Sequence, residues 1–268
     1  MHSAITINDN TLPIINKSEL ASIDYDLIVV IGQNASLVPI LKEAETLKIN
    51  PDKVLLDRTI SIPGFTLERY KKLRRSRLSI ISKNCWGGLL YHTFGLPFLS
   101  PTINAVIIDE LDFLKFLNDL MSYMNKELRF CKMNFNSTLN EHFPSFYLGD
   151  VLWSMLHYVD EDSINTARQK WEERRTKINW YNLLVMTYTK ELSILEKFDE
   201  LPFAKKVCFV PFETDLDSGF YINDDNSLYP NEVFDEQVLD TARSAYCPYD
   251  LWDMLLYGKK TLLKINNH

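Results

Sequence analysis

RLSIISKNCWGGLLYHTFGLPFLSPT, residues 77–102, is the stretch on which the reading of the fold turns. Residues 77–82 are an apolar run of strand length, and the segment after them reads as a turn and then a helix. Between strand and helix stand Asn84, Cys85 and Trp86, followed by the paired Gly87 and Gly88. Glycine permits positive φ and close backbone approach, so a sharp strand-to-helix turn carrying a cysteine is expected here. Amides of Trp86, Gly87 and Gly88 at the carboxyl end of a strand are then placed to cradle an anion, in the crevice where open α/β sheets bind ligands.

Upstream, residues 26–32 (DLIVVIG) read as a buried strand. Residues 36–48 follow as a helix with Leu37, Ile40, Leu41, Ala44 and Leu47 on one stripe, and residues 53–56 as a second strand. Strand, helix and strand make a parallel βαβ unit. Pro63 and Gly64 interrupt the chain before a basic helix at 66–74. Downstream come a strand at 104–108, a helix at 110–125 capped by Asp109, and an irregular stretch at 129–144. Strands at 146–148 and 152–158 follow, then a helix at 160–177, a strand at 182–187, a helix at 192–200 and a strand at 206–211. Helices at 231–245 and 249–257 close the chain. The fold class is therefore α/β, a mostly parallel or mixed sheet with helices on both faces, preceded by a small Rossmann-like βαβ segment. The expected division is a βαβ subdomain at 1–64 and a main α/β domain at 65–268.

The chain has 268 residues, 46% hydrophobic and 24% charged, and a net charge of −7. These values fit a globular protein and exclude disordered and fibrous classes, and the acidity argues against nucleic acid as a partner. No apolar run is long enough to span a bilayer and the N-terminus lacks signal-peptide regions, so cytoplasmic residence is the expectation. Cys85, Cys131, Cys208 and Cys247 are widely spaced and form no Cys-x-x-Cys pair, which points to reduced, mostly buried thiols rather than a zinc site. The exception to the acidity is ERYKKLRRSR at 68–77. It is read either as a solvated helix face or as an anchor for phosphate or anionic lipid, giving peripheral membrane contact through Arg69, Arg74 and Arg77.

The candidate catalytic residues are Cys85, His92 and His157. A helix N-terminus lowers a thiol pKa, and His92 lies two helical turns further on the same face. His157 closes an apolar strand and has the intrinsic pKa of a general base. Candidate ligand- or phosphate-binding residues are Asn84, Trp86, Gly87, Gly88 and Tyr91, with Arg174 and Arg175 as a diphosphate clamp. Each has a structural alternative: buried cysteine, hydrogen-bonded histidine, core aromatics, and an exposed helix decorated by the Glu173–Lys177 pair. The Asp-x-Asp spacing at 24/26, 160/162 and 215/217 occurs too often in this aspartate-rich chain to mark a metal site, and no metal ligand set is assigned. No cofactor is indicated.

Three stretches carry a family resemblance: residues 62–102, KWEERRTKINW at 170–180 and FDELPFAKKVCF at 198–209. In combination they resemble domain-of-unknown-function family 1919, bacterial proteins frequently labelled exopolysaccharide biosynthesis proteins. That resemblance implies an α/β fold and a role in exopolysaccharide, capsule or lipopolysaccharide assembly, and brings no catalytic residues with it. The expected function is a glycosyltransferase-like sugar transfer from a phosphate-bearing donor to a glycan or lipid-linked acceptor, His92 or His157 activating the acceptor. Two alternatives stand beside it. One is a Cys–His acyltransferase or hydrolase, and the other a non-catalytic scaffold of a polysaccharide assembly complex with an exposed apolar patch near 249–257.

Overall fold

Two short strands open the chain, β1 (Ala4–Ile7) and β2 (Asn10–Pro13), paired antiparallel. They belong to the first of two units, Met1–Ser61 and Ile62–His268. The computed structural model describes residues 4–7, 10–13, 15–32, 37–136, 140–158, 162–222 and 248–263. In the first unit β3 (Ile28–Val30) and β4 (Val54–Leu56) run parallel, with α1 (Leu37–Thr46) between them in sequence. Ala44, Val54 and Leu56 are buried with Ile40 and Leu41 packed against them, so the helical stripe and the strand close one small core. The short helix α2 (Asp57–Ile60) follows β4.

The second unit begins with α3 (Leu67–Arg75), capped where Thr66 Oγ1 accepts from the Arg69 amide at 3.2 Å. Then come β5 (Ser79–Ser82), α4 (Trp86–Thr93), β6 (Ala105–Val106), α5 (Glu110–Asn118) and α6 (Leu120–Met124). Strands β7 (Leu128–Asn136), β8 (Glu141–Leu148) and β9 (Val151–Met155) lead to α7 (Ser163–Arg175). The described part ends with β10 (Leu183–Tyr188), α8 (Leu192–Asp199), β11 (Lys205–Val210), β12 (Gly219–Tyr221) and α9 (Leu251–Tyr257).

These strands build two sheets. One is wholly parallel, in the order β12-β11-β10-β5, and the other antiparallel, in the order β6-β9-β8-β7. A backbone hydrogen bond from the Ile107 amide to the Lys83 carbonyl (2.9 Å) ties the end of β5 to the segment after β6. Side chains of the parallel strands alternate between two buried faces. Ile81, Val185, Cys208 and Val210 join a core shared with α5, α6, α7, α8 and the antiparallel sheet. On the other face Trp86 of α4 meets Phe209 edge-on at 4.9 Å, and Phe94 meets Trp252 of α9 at 4.8 Å. Helices thus cover both faces, which is why these strands read as continuous apolar runs.

Several boundaries differ from expectation. The stretch at 129–144, expected to be irregular, is most of the β7–β8 hairpin. β7 is an edge strand with Phe130, Met133 and Phe135 exposed and a register irregularity between Phe130 and Lys132, so it shows no clean alternation. The helix expected over 110–125 breaks at Asp119 (φ −131, ψ 42), which leaves Met121 exposed. The strand expected to reach Tyr158 stops at Met155, and His157 turns out of it at φ 62. The thiols are less buried than expected: Cys208 is buried, Cys85 and Cys131 are half-buried, and Cys247 lies outside the described residues. So do Asp160, Glu161 and the helix expected at 231–245.

The tail expected at 249–257 forms α9, and it does not supply an exposed apolar patch. Leu251, Trp252, Met254, Leu255 and Leu256 are buried. Asp250 caps this helix by accepting from the Trp252 and Asp253 amides (2.9 and 3.1 Å). It ends on Gly258 at φ 66, where a Cβ would lie 3.0 Å from the Lys205 Cα, so two constraints select glycine.

Candidate functional site

The signature segment forms the predicted strand and helix, but its polar groups turn inward. Gly87 and Gly88 are helical residues of α4 and not turn glycines. A Cβ on Gly87 would lie 3.0 Å from Ser82 Oγ and 3.3 Å from Ile80 Cγ2, and one on Gly88 would lie 3.1 Å from Ile103 Cγ2. The glycines let the helix lie close against β5 and residue 103. Two of the three amides expected to cradle an anion have protein partners: Trp86 N–H donates to Asn84 Oδ1 (3.1 Å) and Gly87 N–H to Ser82 Oγ (3.0 Å). Buried Asn84 and Ser82 therefore act as the cap of α4.

The aromatic pair is also structural. Trp86 is 1% exposed and Tyr91 fully buried, so neither offers a face to a sugar or base. Tyr91 Oη accepts from the Ile80 amide at 2.7 Å and donates to the Leu78 carbonyl at 3.3 Å, and burial raises the phenol pKa well above its ordinary value. Arg174 and Arg175 do not form a clamp. Arg174 donates to Tyr158 Oη (3.3 Å) and lies over the Phe98 ring, whereas Arg175 binds Glu172 and the Met124 carbonyl (2.6 Å each).

Cys85 sits at the start of α4, and His92 seven residues on in its last turn, about 10 Å along the axis. The helix holds the two apart, which removes the direct nucleophile–base contact that acyl transfer by this pair requires. His157 lies after β9, half-exposed, with Nδ1 3.5 Å from Glu141 Oε2. Among the described residues no three His, Cys, Asp or Glu side chains group as a metal site, and Asp215 and Asp217 are exposed.

What does converge lies at the carboxyl edge of the parallel sheet. β5 ends at Ser82 and β10 at Tyr188; the helix after β5, α4, covers one face and the helix after β10, α8, covers the other. Neighbouring strands whose helices leave on opposite faces open a crevice at their carboxyl ends. Lys83 is positioned there by two backbone bonds, its amide donating to the Met186 carbonyl (3.2 Å) and its carbonyl accepting from Ile107. Its Nζ lies 3.6 Å from Glu110 Oε1 of α5, the two side chains being 17% and 28% exposed. Thr189, fully buried, donates from Oγ1 to Glu110 Oε2 (3.2 Å) and accepts from the Glu191 amide (3.0 Å). Behind them lies Cys208, whose thiol is pushed strongly up by burial and, secondarily, by the Glu110 charge.

Lysine, carboxylate and threonine thus form one network with Cys85 half-buried two residues from Lys83. Exposed Ile108, Leu111 and Leu192 stand at the neighbouring starts of α5 and α8. Lys83, Glu110 and Thr189 were not singled out from the sequence. Lys83 belongs to the signature run, Glu110 opens α5 and Thr189 lies just past β10, three residues before α8, so the signal was position at strand ends.

The basic helix α3 is largely engaged within the protein. Arg69 Nη1 binds Asp250 Oδ2 (2.8 Å) and Nη2 binds Asp253 Oδ1 (2.5 Å), Lys72 donates to Tyr257 Oη (2.8 Å), and Arg74 lies over the Tyr70 ring. Burial opposes the charge on Arg69, but the two carboxylates outweigh it and raise its pKa. Among the described residues no helix is long and apolar enough to cross a membrane.

This mixed α/β chain with a parallel-sheet crevice belongs to the family described as Domain of unknown function (DUF1919), whose model matches residues 57–248. It is similar to a protein of Haemophilus influenzae described as "Uncharacterized protein", 31% identical over 163 residues, which are 59% of this chain and 72% of that one.

Proposed function

We propose that the protein is a sugar-transfer enzyme of bacterial exopolysaccharide, capsule or lipopolysaccharide biosynthesis, acting in the cytoplasm on a phosphate-bearing sugar donor. The observation that carries this reading is the Lys83–Glu110–Thr189 network at the carboxyl edge of the parallel sheet. Lysine binds phosphate as a point charge, and a donor phosphate competes with Glu110 for Lys83. Glu110, released from that ion pair and still held by Thr189, accepts the proton of an acceptor hydroxyl. The acceptor oxygen forms a bond to the anomeric carbon, the bond from that carbon to the phosphate oxygen breaks, and the phosphate leaves with the electron pair. His92 and His157, the bases expected from sequence, have no role in this scheme. Membrane contact through α3 is weak in this reading, because Arg69 and Lys72 are already paired.

The test is turnover across a panel of nucleotide-diphosphate and lipid-diphosphate sugars. Glu110→Gln should lower turnover by about 10²- to 10⁴-fold, the usual contribution of a general base, and Lys83→Ala should chiefly raise the donor KM. No thermal shift and no transfer with any donor, or equal turnover in wild type and Glu110→Gln, removes the proposal.

A further inference from the structure

A groove of about 720 Å³ lies on the outer side of α5. Its lining includes Leu111, Leu114, Lys115 and Asn118, which recur at helical spacing on one face of α5, and Lys197 and Glu200 from the end of α8. The face begins one residue from Glu110 and ends at Asn118, about 12 Å along the axis. Both helices start at the carboxyl edge, so the groove leads away from the proposed base.

Its chemistry is unlike that of the Lys83 site. The lining holds two cations, Lys115 and Lys197, and two anions, Asp119 and Glu200, so neither sign dominates it, and Lys115 is itself paired with Asp150 beside the groove. Leucines form the apolar part of the lining, while ammonium, carboxylate and amide groups supply donors and acceptors around them. Asn118 is held in place by donating from Nδ2 to the Leu114 carbonyl (3.0 Å), and Lys115 and Tyr123 Oη are held by Asp150. A polyanion or a lipid tail gains little from such a surface. A sugar ring, with C–H faces and a rim of hydroxyls, matches both parts of it.

We infer that this groove is the acceptor subsite: it holds a short run of an uncharged glycan whose terminal hydroxyl is presented to Glu110. The inference rests on the sugar-transfer reading for its direction and on the groove's own chemistry for its ligand.

The experiment is a titration of the full chain with neutral oligosaccharides (maltohexaose, chitohexaose and the best ligand from a glycan array), with heparin hexasaccharide as the anionic comparison. A neutral glycan should bind. Asn118→Ala combined with Glu200→Ala, both on exposed positions, should weaken it roughly tenfold, as loss of two hydrogen bonds implies. Lys83→Ala should leave glycan affinity unchanged. Binding of heparin alone, failure of every neutral glycan, or indifference to the double variant overturns the subsite. Glycan binding that obeys the groove variants, in a protein whose turnover ignores Glu110→Gln, keeps the subsite and removes the sugar-transfer mechanism.

Discussion

The two four-stranded sheets of the second unit are stabilised by different means, and the contrast explains where function can reside. The parallel sheet is held by close approach and by hydroxyls. Thr102 Oγ1 accepts from the Ser82 amide (3.3 Å) and donates to the Ile80 carbonyl (3.4 Å), and Ser79 Oγ donates to the Leu99 carbonyl (2.8 Å). Polar groups along its β5 edge are thereby satisfied, and just past the strand ends the backbone bonds of Lys83 to Met186 and of Thr189 to Phe209 (3.2 and 3.1 Å) fix the main chain while their side chains turn to Glu110. The antiparallel sheet is held by volume. Trp153 of β9 packs against Phe116 of α5 (5.1 Å) and Trp171 of α7 (5.6 Å), while Phe135 on the edge strand β7 is exposed. The sharpest break in this comparison comes from emptying that wedge. Trp153→Ala should cost about 3–5 kcal/mol, whereas Phe135→Ala should stay within about 0.5 kcal/mol. Urea denaturation of both variants measures the difference, and a Trp153→Ala cost below about 1 kcal/mol contradicts the volume account.

The complementary test adds atoms where the parallel sheet allows none. Alanine for glycine inside an exposed helix ordinarily stabilises by up to about 1 kcal/mol. At Gly87 the sign should reverse, because the new Cβ meets Ser82 Oγ, Ile80 Cγ2 and, at 3.4 Å, the Ile80 carbonyl. Ser82 is itself bonded to the Asn84 carbonyl (2.6 Å), so it cannot withdraw without uncapping α4. Gly87→Ala should therefore cost about 1–3 kcal/mol, the range for overpacking, and Gly88→Ala less, since its tight contact is a single side-chain methyl. A Gly87→Ala variant more stable than wild type would show that α4 and β5 can separate cheaply.

The same contrast decides what could be read in advance. Buried parallel strands such as β10 and β11 announce themselves as apolar runs, and α4 follows its strand as expected. β7 was missed because an edge strand open to solvent carries no period that burial would enforce. The candidate site was legible only in part. Asn84, Trp86, Gly87, Gly88 and Tyr91 are unusual because of packing and capping, and local sequence does not distinguish a residue bonded inward from one aimed at a ligand. Lys83, Glu110 and Thr189 are ordinary residues, 27 and 79 positions apart in sequence (110 − 83 and 189 − 110), and only the pairing of β5 with β10 brings them together.

At the opposite, amino-terminal edge of the parallel sheet the smallest effect is expected, and it is one of pH. Lys205 opens β11 half-buried, its Nζ donating to Asn182 Oδ1 (2.7 Å) and to the Leu255 carbonyl (3.2 Å). Burial lowers its pKa from 10.5 to about 8. The folded protein therefore loses this proton at lower pH than the unfolded chain. Below about pH 8 both states are protonated and the fold bears the full cost of holding a poorly solvated ammonium; between pH 8 and 10.5 the unfolded chain binds more protons, so stability rises with pH. Solvent screening of a half-exposed group reduces the effect to about 1 kcal/mol. Urea midpoints of wild type and Lys205→Met at pH 7.5 and pH 10 isolate it, because every other titrating group is common to both. The wild type should gain on the variant as pH rises. Parallel pH profiles would mean that the amino edge solvates the Lys205 ammonium as well in the folded protein as in the unfolded chain, and would remove burial as the cause of its lowered pKa.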